Sequence, residues 1–385
     1  GGVFAGCVGE GALGFGGHAG LLWWRVIESE SQCRPMADYS PIGLANARHS
    51  DFVAERSAQY TQAHSNENPT TLQALLTAIT TMDFPTDAQR IFHGRGGLYP
   101  GCEHLALDAY PPALVLTSFQ PVSDDDLATV GTALQQRWAQ IAPDQPLNWV
   151  FQCRAEGHAD TRLMAGAVPD PHVVTEDGTQ YKVHVLRGQN HGLFLDMAEG
   201  RRWVRQHVAA HPKTFAFRVL NLFAYTCAFS VVAMQAGARH VVNVDMSQSA
   251  LAIGQQNHRI NGIDTGASFL AHDIFKTWGK IARGGPYDLI ILDPPSYQKG
   301  SFVATKDYAR ILRRLPELLA PEGYALLCLN APELDTTFLH NHMQEQAPEL
   351  RFVQRLPNPA TFADVSLERA LKVLLYQAPP VTPAG

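Results

Sequence analysis

The chain has 385 residues, 45% of them hydrophobic, enough to bury two or three separate cores. Its 30 basic and 36 acidic residues leave a net charge of −6, so no global basic field advertises a nucleic-acid partner and such a contact must come from a local patch. No run of about 18 apolar residues argues for a membrane span; the cysteines (Cys7, Cys33, Cys102, Cys153, Cys227, Cys328) are scattered with no zinc-type pair, the usage of a cytoplasmic chain without disulfides or bound metal.

Residues 1–33 are rich in Gly and Ala and lack both an initiating Met and the basic start of a signal peptide. The expectation is a non-native or disordered extension over 1–35, with the natural protein starting near Met36. Residues 36–104 read as a helical and loop segment. A cap-like stretch over 66–70 precedes Leu72, Leu75, Leu76 and Ile79, which fall at helical spacing. The loop 93–101 is glycine-rich. With no lysine followed by Ser or Thr and no clear strand before it, it reads as a surface loop rather than a phosphate cradle.

Residues 105–190 read as a small α+β domain. A strand is expected over 113–119, then a helix over 124–141 that opens with acidic residues, as its dipole prefers. A strand over 147–154 follows, and a hairpin (173–176, 181–185) turns at Asp177-Gly178. Nothing catalytic stands out here, so the domain is expected to position a substrate.

From 191 to 385 the pattern changes. A helix begins near Asp196 and contains Arg201, Arg202 and Arg205, which read equally well as a solvated face or a ligand contact. Strands at 219–223, 241–244, 268–270, 289–292 and 324–329 then alternate with helices at 229–236, 248–261, from 274, 307–319 and from 333. Apolar runs at 351–356 and 371–376 close the chain. This alternation specifies an α/β, doubly wound, mostly parallel sheet.

Ligands bind such a sheet at the carboxyl ends of its strands. The strand 289–292 ends at Asp293, where Pro294 and Pro295 cannot donate to a ladder and hold Asp293 and Ser296 in a rigid, extended turn ahead of Tyr297. Asp245 ends the second strand about 20 residues after the first turn, where a carboxylate can accept both hydroxyls of a ribose. Asp273 ends the third and is placed to accept from an exocyclic amine, with Ile274 beside it for a purine face. The first turn, 221–230, carries no glycine, which disfavours a pyrophosphate and with it NAD or FAD. S-adenosylmethionine has no phosphate, and its sulfonium and amino group suit a carboxylate-lined crevice.

Together these pieces carry a resemblance. Phe194 and Asp196 within Leu-Phe-Leu-Asp, followed by Arg201, form the first matching motif. Asn221 to Thr226 (Asn-Leu-Phe-Ala-Tyr-Thr) is the second, and Asn-Val-Asp245-Met246-Ser247 the third. His-Asp273-Ile274-Phe and Leu-Asp293-Pro294-Pro295-Ser296-Tyr297 complete the set. The chain from about 105 to 376 resembles the bacterial 23S rRNA methyltransferase family of class I S-adenosylmethionine-dependent methyltransferases. The resemblance implies a Rossmann-like methyltransferase domain preceded by the small domain, which would help hold large-subunit ribosomal RNA. It implies that Asn221, Phe223, Ala224, Tyr225, Thr226 and Cys227 cradle the methionine end, that Asp245 binds ribose and Asp273 the adenine amine, and that Asp293 to Tyr297 face the methyl group and the target base. Cys227 departs from the family's usual glycine and is expected to narrow the pocket. Ala198 stands where an arginine is common, and no PUA-type pattern is found over 36–100.

Methylating carbon 5 of a pyrimidine needs a cysteine nucleophile. The two positions that supply it in resembling enzymes hold Asn330 and Ser296 here, and Cys328 reads as a buried small hydrophobe. Asp293, Ser296, Tyr297 and Asn330 instead suit the alignment of a ring or exocyclic nitrogen, which needs no nucleophile. Lys299, Lys306, Arg310, Arg313 and Arg314 read as a phosphate anchor or as a solvated helix face. A protein amide or small-molecule acceptor, and a non-catalytic module with a decayed pocket, are the alternative readings; monomer and homodimer are both open.

Overall fold

A computed structural model describes residues 72–155, 160–212, 216–295, 302–381 and the backbone of 297–298. The expected extension over 1–35, the cap-like stretch 66–70, Ser296, Lys299 and the side chain of Tyr297 lie outside the described residues.

The first core belongs to a five-stranded sheet of order β1-β2-β3-β4-β5, with β1 Gln89–His93, β2 Leu105–Tyr110, β3 Ala113–Ser118, β4 Asn148–Cys153 and β5 Asp160–Ala165. Helices α1 (Gln73–Thr81) and α2 (Asp124–Ile141) cover one face: Leu75, Ile79, Leu127, Val130, Leu134 and Trp138 pack onto Leu107, Leu114, Leu116, Trp149 and Phe151. Ser123 caps α2, its hydroxyl accepting from the Asp126 amide at 3.1 Å. This domain therefore includes α1 and β1, in the stretch expected as a separate helical and loop segment. Strand β1 was hidden because Arg90 pairs with Asp108 across the sheet, which puts a charge where an alternating strand pattern expects an apolar residue. Loop 93–101 is not a surface loop either: a Cβ on Gly96 would stand 2.0 Å from the Ala363 carbonyl oxygen, so glycine admits the close approach of a segment near the chain's end.

The hairpin β6 (His172–Glu176) and β7 (Thr179–Val183) forms its own two-stranded sheet. Two strands alone are marginal in water, and these bury Val174, Tyr181 and Val183 between Tyr110, Val115 and Val150 of the first domain and Leu193, Leu195 and Val231 of the second. The Lys182 and Gln180 amides donate to Asn257 Oδ1 (2.8 Å) and Asn261 Oδ1 (3.0 Å) on the far domain. The hairpin is the mortar of the domain junction rather than part of the small domain's sheet.

The second domain is the expected doubly wound sheet. Its order is β10-β9-β8-β11-β14-β16-β15: β8 Arg218–Leu222, β9 His240–Asp245, β10 Ala267–Ala271, β11 Tyr287–Leu292, β14 Leu319–Leu329, β15 Arg351–Leu356 and β16 Lys372–Gln377, with the short pair β12 (Tyr297–Gln298) and β13 (Phe302–Val303) beside it. All neighbours run parallel except β16, which is antiparallel to both β14 and β15. Helices α3 (Ala198–Ala210), α4 (Ala228–Gln235), α5 (Gln248–Ile260), α6 (Trp278–Gly284), α7 (Ala304–Leu312), α8 (Leu315–Leu318) and α9 (Thr336–Gln346) cover its faces. The helix expected over 307–319 is two pieces, with Pro316 in the first turn of α8. No described helix is long and apolar enough to cross a membrane.

Candidate active site

Strand register brings the site together. Leu222 stands opposite Val244 and Leu292, Val244 opposite Leu270, and Leu292 opposite Leu327. The residues that follow (Phe223, Asp245, Asp273, Asp293 and Asn330) therefore emerge along one edge of the sheet.

Three non-glycine residues of the first turn, Phe223 (φ 58°), Tyr225 (φ 47°) and Cys227 (φ 61°), are left-handed. Such backbone persists only where its surroundings over-determine it. Here the Ala224 amide donates to the Val244 carbonyl (3.1 Å), Thr226 Oγ1 to the Gly192 carbonyl (2.6 Å), and Asn257 Nδ2 to the Thr226 carbonyl (3.0 Å). The Tyr225 amide donates to Asp245 Oδ2 at 2.8 Å, and the Ser247 amide to Oδ1 at 2.7 Å. The turn and the acid thus orient each other. Burial nevertheless holds Asp245 above the usual carboxylate range, with those two amides pulling it down. Each oxygen retains capacity for a further hydrogen bond.

Asn221 serves the turn from below. Its Nδ2 donates to Asn243 Oδ1 (3.0 Å), Asn243 Nδ2 to Ser230 Oγ (3.0 Å), Ser230 Oγ to His258 Nε2 (2.9 Å), and His258 Nδ1 to the Gly254 carbonyl (2.7 Å). The chain of bonds is buried and runs one way, which requires a neutral His258; burial lowers its pKa accordingly. It pins β8, β9, α4 and α5 at the level of the turn.

Cys227 is 0% exposed and does not narrow the cleft. Its thiol lies against α5, where a Cβ on Gly254 would come within 2.4 Å of Sγ. A mid-helix glycine costs about 1 kcal/mol, and that unexplained cost was the signal in the sequence that something must approach closely there.

Large apolar side chains stay exposed at the rim: Phe194 (43%), its ring 5.3 Å from Tyr225, and Met246 (51%), next to Asp245. Ser247 caps α5, its hydroxyl accepting from the Ala250 amide (3.2 Å). Asp273 Oδ1 accepts from the Phe275 amide (2.9 Å), and Oδ2 lies 3.4 Å from Lys276 Nζ. Ile274 is buried in the core among residues such as Val244 and Ile281, so the apolar faces open at the rim are those of Phe194 and Met246.

Arg201 is 3% exposed and its guanidinium is already committed: Nε and Nη2 each donate to Glu176 of the hairpin at 2.6 Å, and Nη2 to the Phe194 carbonyl at 2.8 Å. It positions Phe194 instead of presenting a charge to the cleft. Asp196 is held above the usual range by burial, against the pull of Arg90 and Arg201.

Just past β11, burial and then the nearby Asp196 push Asp293 up to about 7. The Cys328 thiol bonds to Asp293 and is pushed well above its ordinary value, first by burial and then by Asp293. Pro294 is buried and Pro295 partly so, while Asn330 is exposed at the end of β14. Beneath Asn330 a residue unforeseen from the sequence holds the loop: fully buried Lys372 donates to the carbonyls of Ala331 (2.8 Å) and Glu368 (2.6 Å). Among the described residues no group of three or more metal-ligating side chains converges.

A doubly wound sheet with Asp245, Asp273 and Asp293 at its strand ends, apolar side chains exposed beside them and a glycine-free first turn has the architecture of a Rossmann-like methyltransferase domain. These residues fit S-adenosylmethionine: an oriented carboxylate for ribose hydroxyls, apolar faces for a base, and acidic surroundings for a sulfonium. The model of the S-adenosylmethionine-dependent methyltransferase family matches residues 89–377, and the chain belongs to that family.

Relatives agree. The chain is 30% identical over 232 residues to ribosomal RNA large subunit methyltransferase I of Aeromonas salmonicida, a match covering 59% of this chain and 57% of that one. It is 37% identical over 160 residues to ribosomal RNA large subunit methyltransferase K/L of a Psychrobacter species, covering 40% of this chain and 19% of that one. The chain thus spans little more than half of the first relative's length. A methyltransferase from Streptococcus mutans shares the fold, with TM-score 0.64 at 22% identity over 88% of this chain and 83% of the other.

Proposed function

We propose that this protein methylates a base of large-subunit ribosomal RNA in the cytoplasm, at a nitrogen. The observation that carries the nitrogen reading is the state of Cys328. A carbon-5 mechanism needs a thiolate, and this thiol is buried, bonded to Asp293 and pushed away from ionisation. The RNA reading draws on the relatives, both named for large-subunit ribosomal RNA.

S-adenosylmethionine, when bound, supplies an electrophilic methyl group on a sulfonium. The chain's own part is positioning and electrostatics. Tyr225 and Ser247 amides hold Asp245 for the ribose hydroxyls, Asp273 stands at the base end, and Phe194 and Met246 cover apolar faces. Asp293, on its proline-stiffened turn, accepts from the target base, so that the nitrogen lone pair points at the methyl group; exposed Asn330 is assigned to the same step, as are Ser296 and Tyr297 from the sequence alone. Arg310, over Phe275 at 3.8 Å and paired with Asp307, and Arg314, over Trp278 at 5.4 Å and paired with Glu317, are the cations assigned to the RNA backbone.

The test is transfer of labelled methyl groups from S-adenosylmethionine to stripped ribosomal subunits, compared with total cell protein. Label in large-subunit RNA, in a nitrogen-methylated nucleoside after digestion, is the expected result. Label in 5-methylcytidine would overturn the nitrogen reading, and label in protein alone would overturn the RNA reading.

A further inference from the structure

The opposite edge of the catalytic sheet carries a cleft that methyl transfer leaves unused. The amino ends of β8, β9 and β10 and the turn after α4 frame about 670 Å³, lined by Arg218, Arg239, His240, Gly237 and Gly266 among others. Arg218 opens β8 and stands opposite His240, which opens β9. The lengths of β8 and β9 separate these groups from Phe223 and Asp245, roughly 16 Å at about 3.3 Å per residue, so the cleft is distinct from the cofactor's edge.

Its cations are free to take a ligand. Arg218 commits Nε to the Gly284 carbonyl, at 2.8 Å, while Nη1 and Nη2 make no hydrogen bond among the described residues. The exposed Arg239 guanidinium makes neither a hydrogen bond nor an ion pair among them. His240 Nε2 lies 3.0 Å from Ser268 Oγ, and burial, then Arg218 and Arg239, hold its pKa below the ordinary value. The acids on the same segments are Asp288, whose Oδ2 accepts from the Arg218 backbone amide at 2.8 Å, and exposed Asp264; neither forms an ion pair with either guanidinium. The C-terminal end of α4 borders the cleft, but the turn at Gly237 (φ 102°) ties the Val232, Ala233 and Met234 carbonyls into backbone bonds. Like charges lining a concave surface focus a positive potential there, and the planar fork of a guanidinium matches the oxygens of a phosphate.

We propose that Arg239 and the Arg218 fork bind a backbone phosphate of the ribosomal RNA, at a point remote from the nucleotide being methylated. A folded RNA can reach both edges of the sheet at once, with the target base at Asp293 and another part of its backbone in this cleft. The contact holds the RNA on the enzyme and takes no part in the transfer step. The proposal rests on the RNA reading above.

The experiment measures filter binding of labelled, protein-free large-subunit ribosomal RNA across a tenfold range of chloride, with the parent chain, R239Q, R218Q/R239Q and R218K/R239K. One phosphate contact contributes about 0.7 to the slope of log affinity against log salt for a single strand and about 0.9 for a duplex, so its loss removes about five- to eightfold of the change over that range. R218Q/R239Q should lose that much and R239Q part of it, while R218K/R239K should recover most of it. In transfer assays R239Q should raise KM for the RNA and leave kcat unchanged; a lowered kcat at unchanged KM would overturn the proposal. If the parent binds RNA and R218Q/R239Q keeps its slope, the cleft is not a phosphate site and the RNA reading stands. If the parent binds no RNA, both readings fall. Calorimetry with inorganic phosphate at matched ionic strength separates the sources: uptake by the parent and not by R239Q, with equal RNA slopes, would make this a site for the free ion and overturn the RNA assignment. A slope that stays low in R218K/R239K, beside an R239Q slope equal to the parent's, would trace the loss to disturbed structure and overturn it too.

Discussion

Cys227 and Gly254 should behave as one unit. Cys227 adopts φ 61° without being glycine, at a cost of roughly 1–2 kcal/mol. Cys227→Gly relieves that strain, but it loses a buried thiol and its methylene, about 1 kcal/mol, and gains chain entropy in the unfolded state, about 0.5–1 kcal/mol. These terms nearly cancel, so the single variant should lie within about 1 kcal/mol of the parent. Gly254→Ala gains about 1 kcal/mol of helix propensity, yet its Cβ meets Sγ at 2.4 Å and the Cys227 Cβ at 3.0 Å, an overpacking worth about 1–3 kcal/mol. In the double variant both of those atoms are gone and the propensity gain remains. Denaturant titration of all four proteins should therefore give a favourable coupling energy of about 2 kcal/mol. Calorimetry should show weaker S-adenosylmethionine binding in Gly254→Ala alone, because the displaced turn carries the Tyr225 amide that orients Asp245. Additive effects within about 0.5 kcal/mol, or unchanged cofactor affinity in Gly254→Ala, would refute the reasoning.

Asp293 supplies a pH test. Its folded pKa, about 7, is above the ordinary value of 3.8, so the folded chain holds this proton more tightly than the unfolded one. The group's contribution to stability is full below about pH 4 and is lost as pH rises to about 7. Asp293→Asn should thus gain on the parent through that window, reaching up to about 4 kcal/mol at pH 8, while methyl transfer is lost; a pH-independent stability difference in denaturant titrations would contradict this. Arg201→Met and Glu176→Gln each strand one half of a buried pair and should cost about 3–5 kcal/mol, with weaker cofactor binding as Phe194 shifts. A stable Arg201→Met with lowered cofactor affinity alone would return Arg201 to direct contact. Lys372→Met leaves the buried Ala331 carbonyl and the part-buried Glu368 carbonyl without their donor, so it should cost about 1–3 kcal/mol for the first and less for the second, and slow transfer while sparing cofactor affinity, read from denaturation, kinetics and calorimetry.

Much of the catalytic domain was legible because its signals are local. The strand run before Asp293 and the two prolines after it are a backbone fact wherever the chain goes, and Asp245 and Asp273 follow strands of the same kind. The small domain was less legible. Strand β1 carries Arg90 and His93 on a face that meets another domain, so its residues obey the junction rather than the alternation of a half-solvated strand.

What the amino-acid order determined by itself was the alternation of strands and helices and the acids at the strand ends, since periodicity and proline act over a few residues. What only the tertiary structure decided was the use to which ambiguous side chains are put. Arg201 reads the same in sequence whether it meets a ligand or Glu176, and Cys227 reads as an obstruction until Gly254, far along the chain, is seen to receive it. Such outcomes depend on which distant partner desolvates a group or leaves room for it, and that partner is set by packing between elements, not by neighbours in the chain.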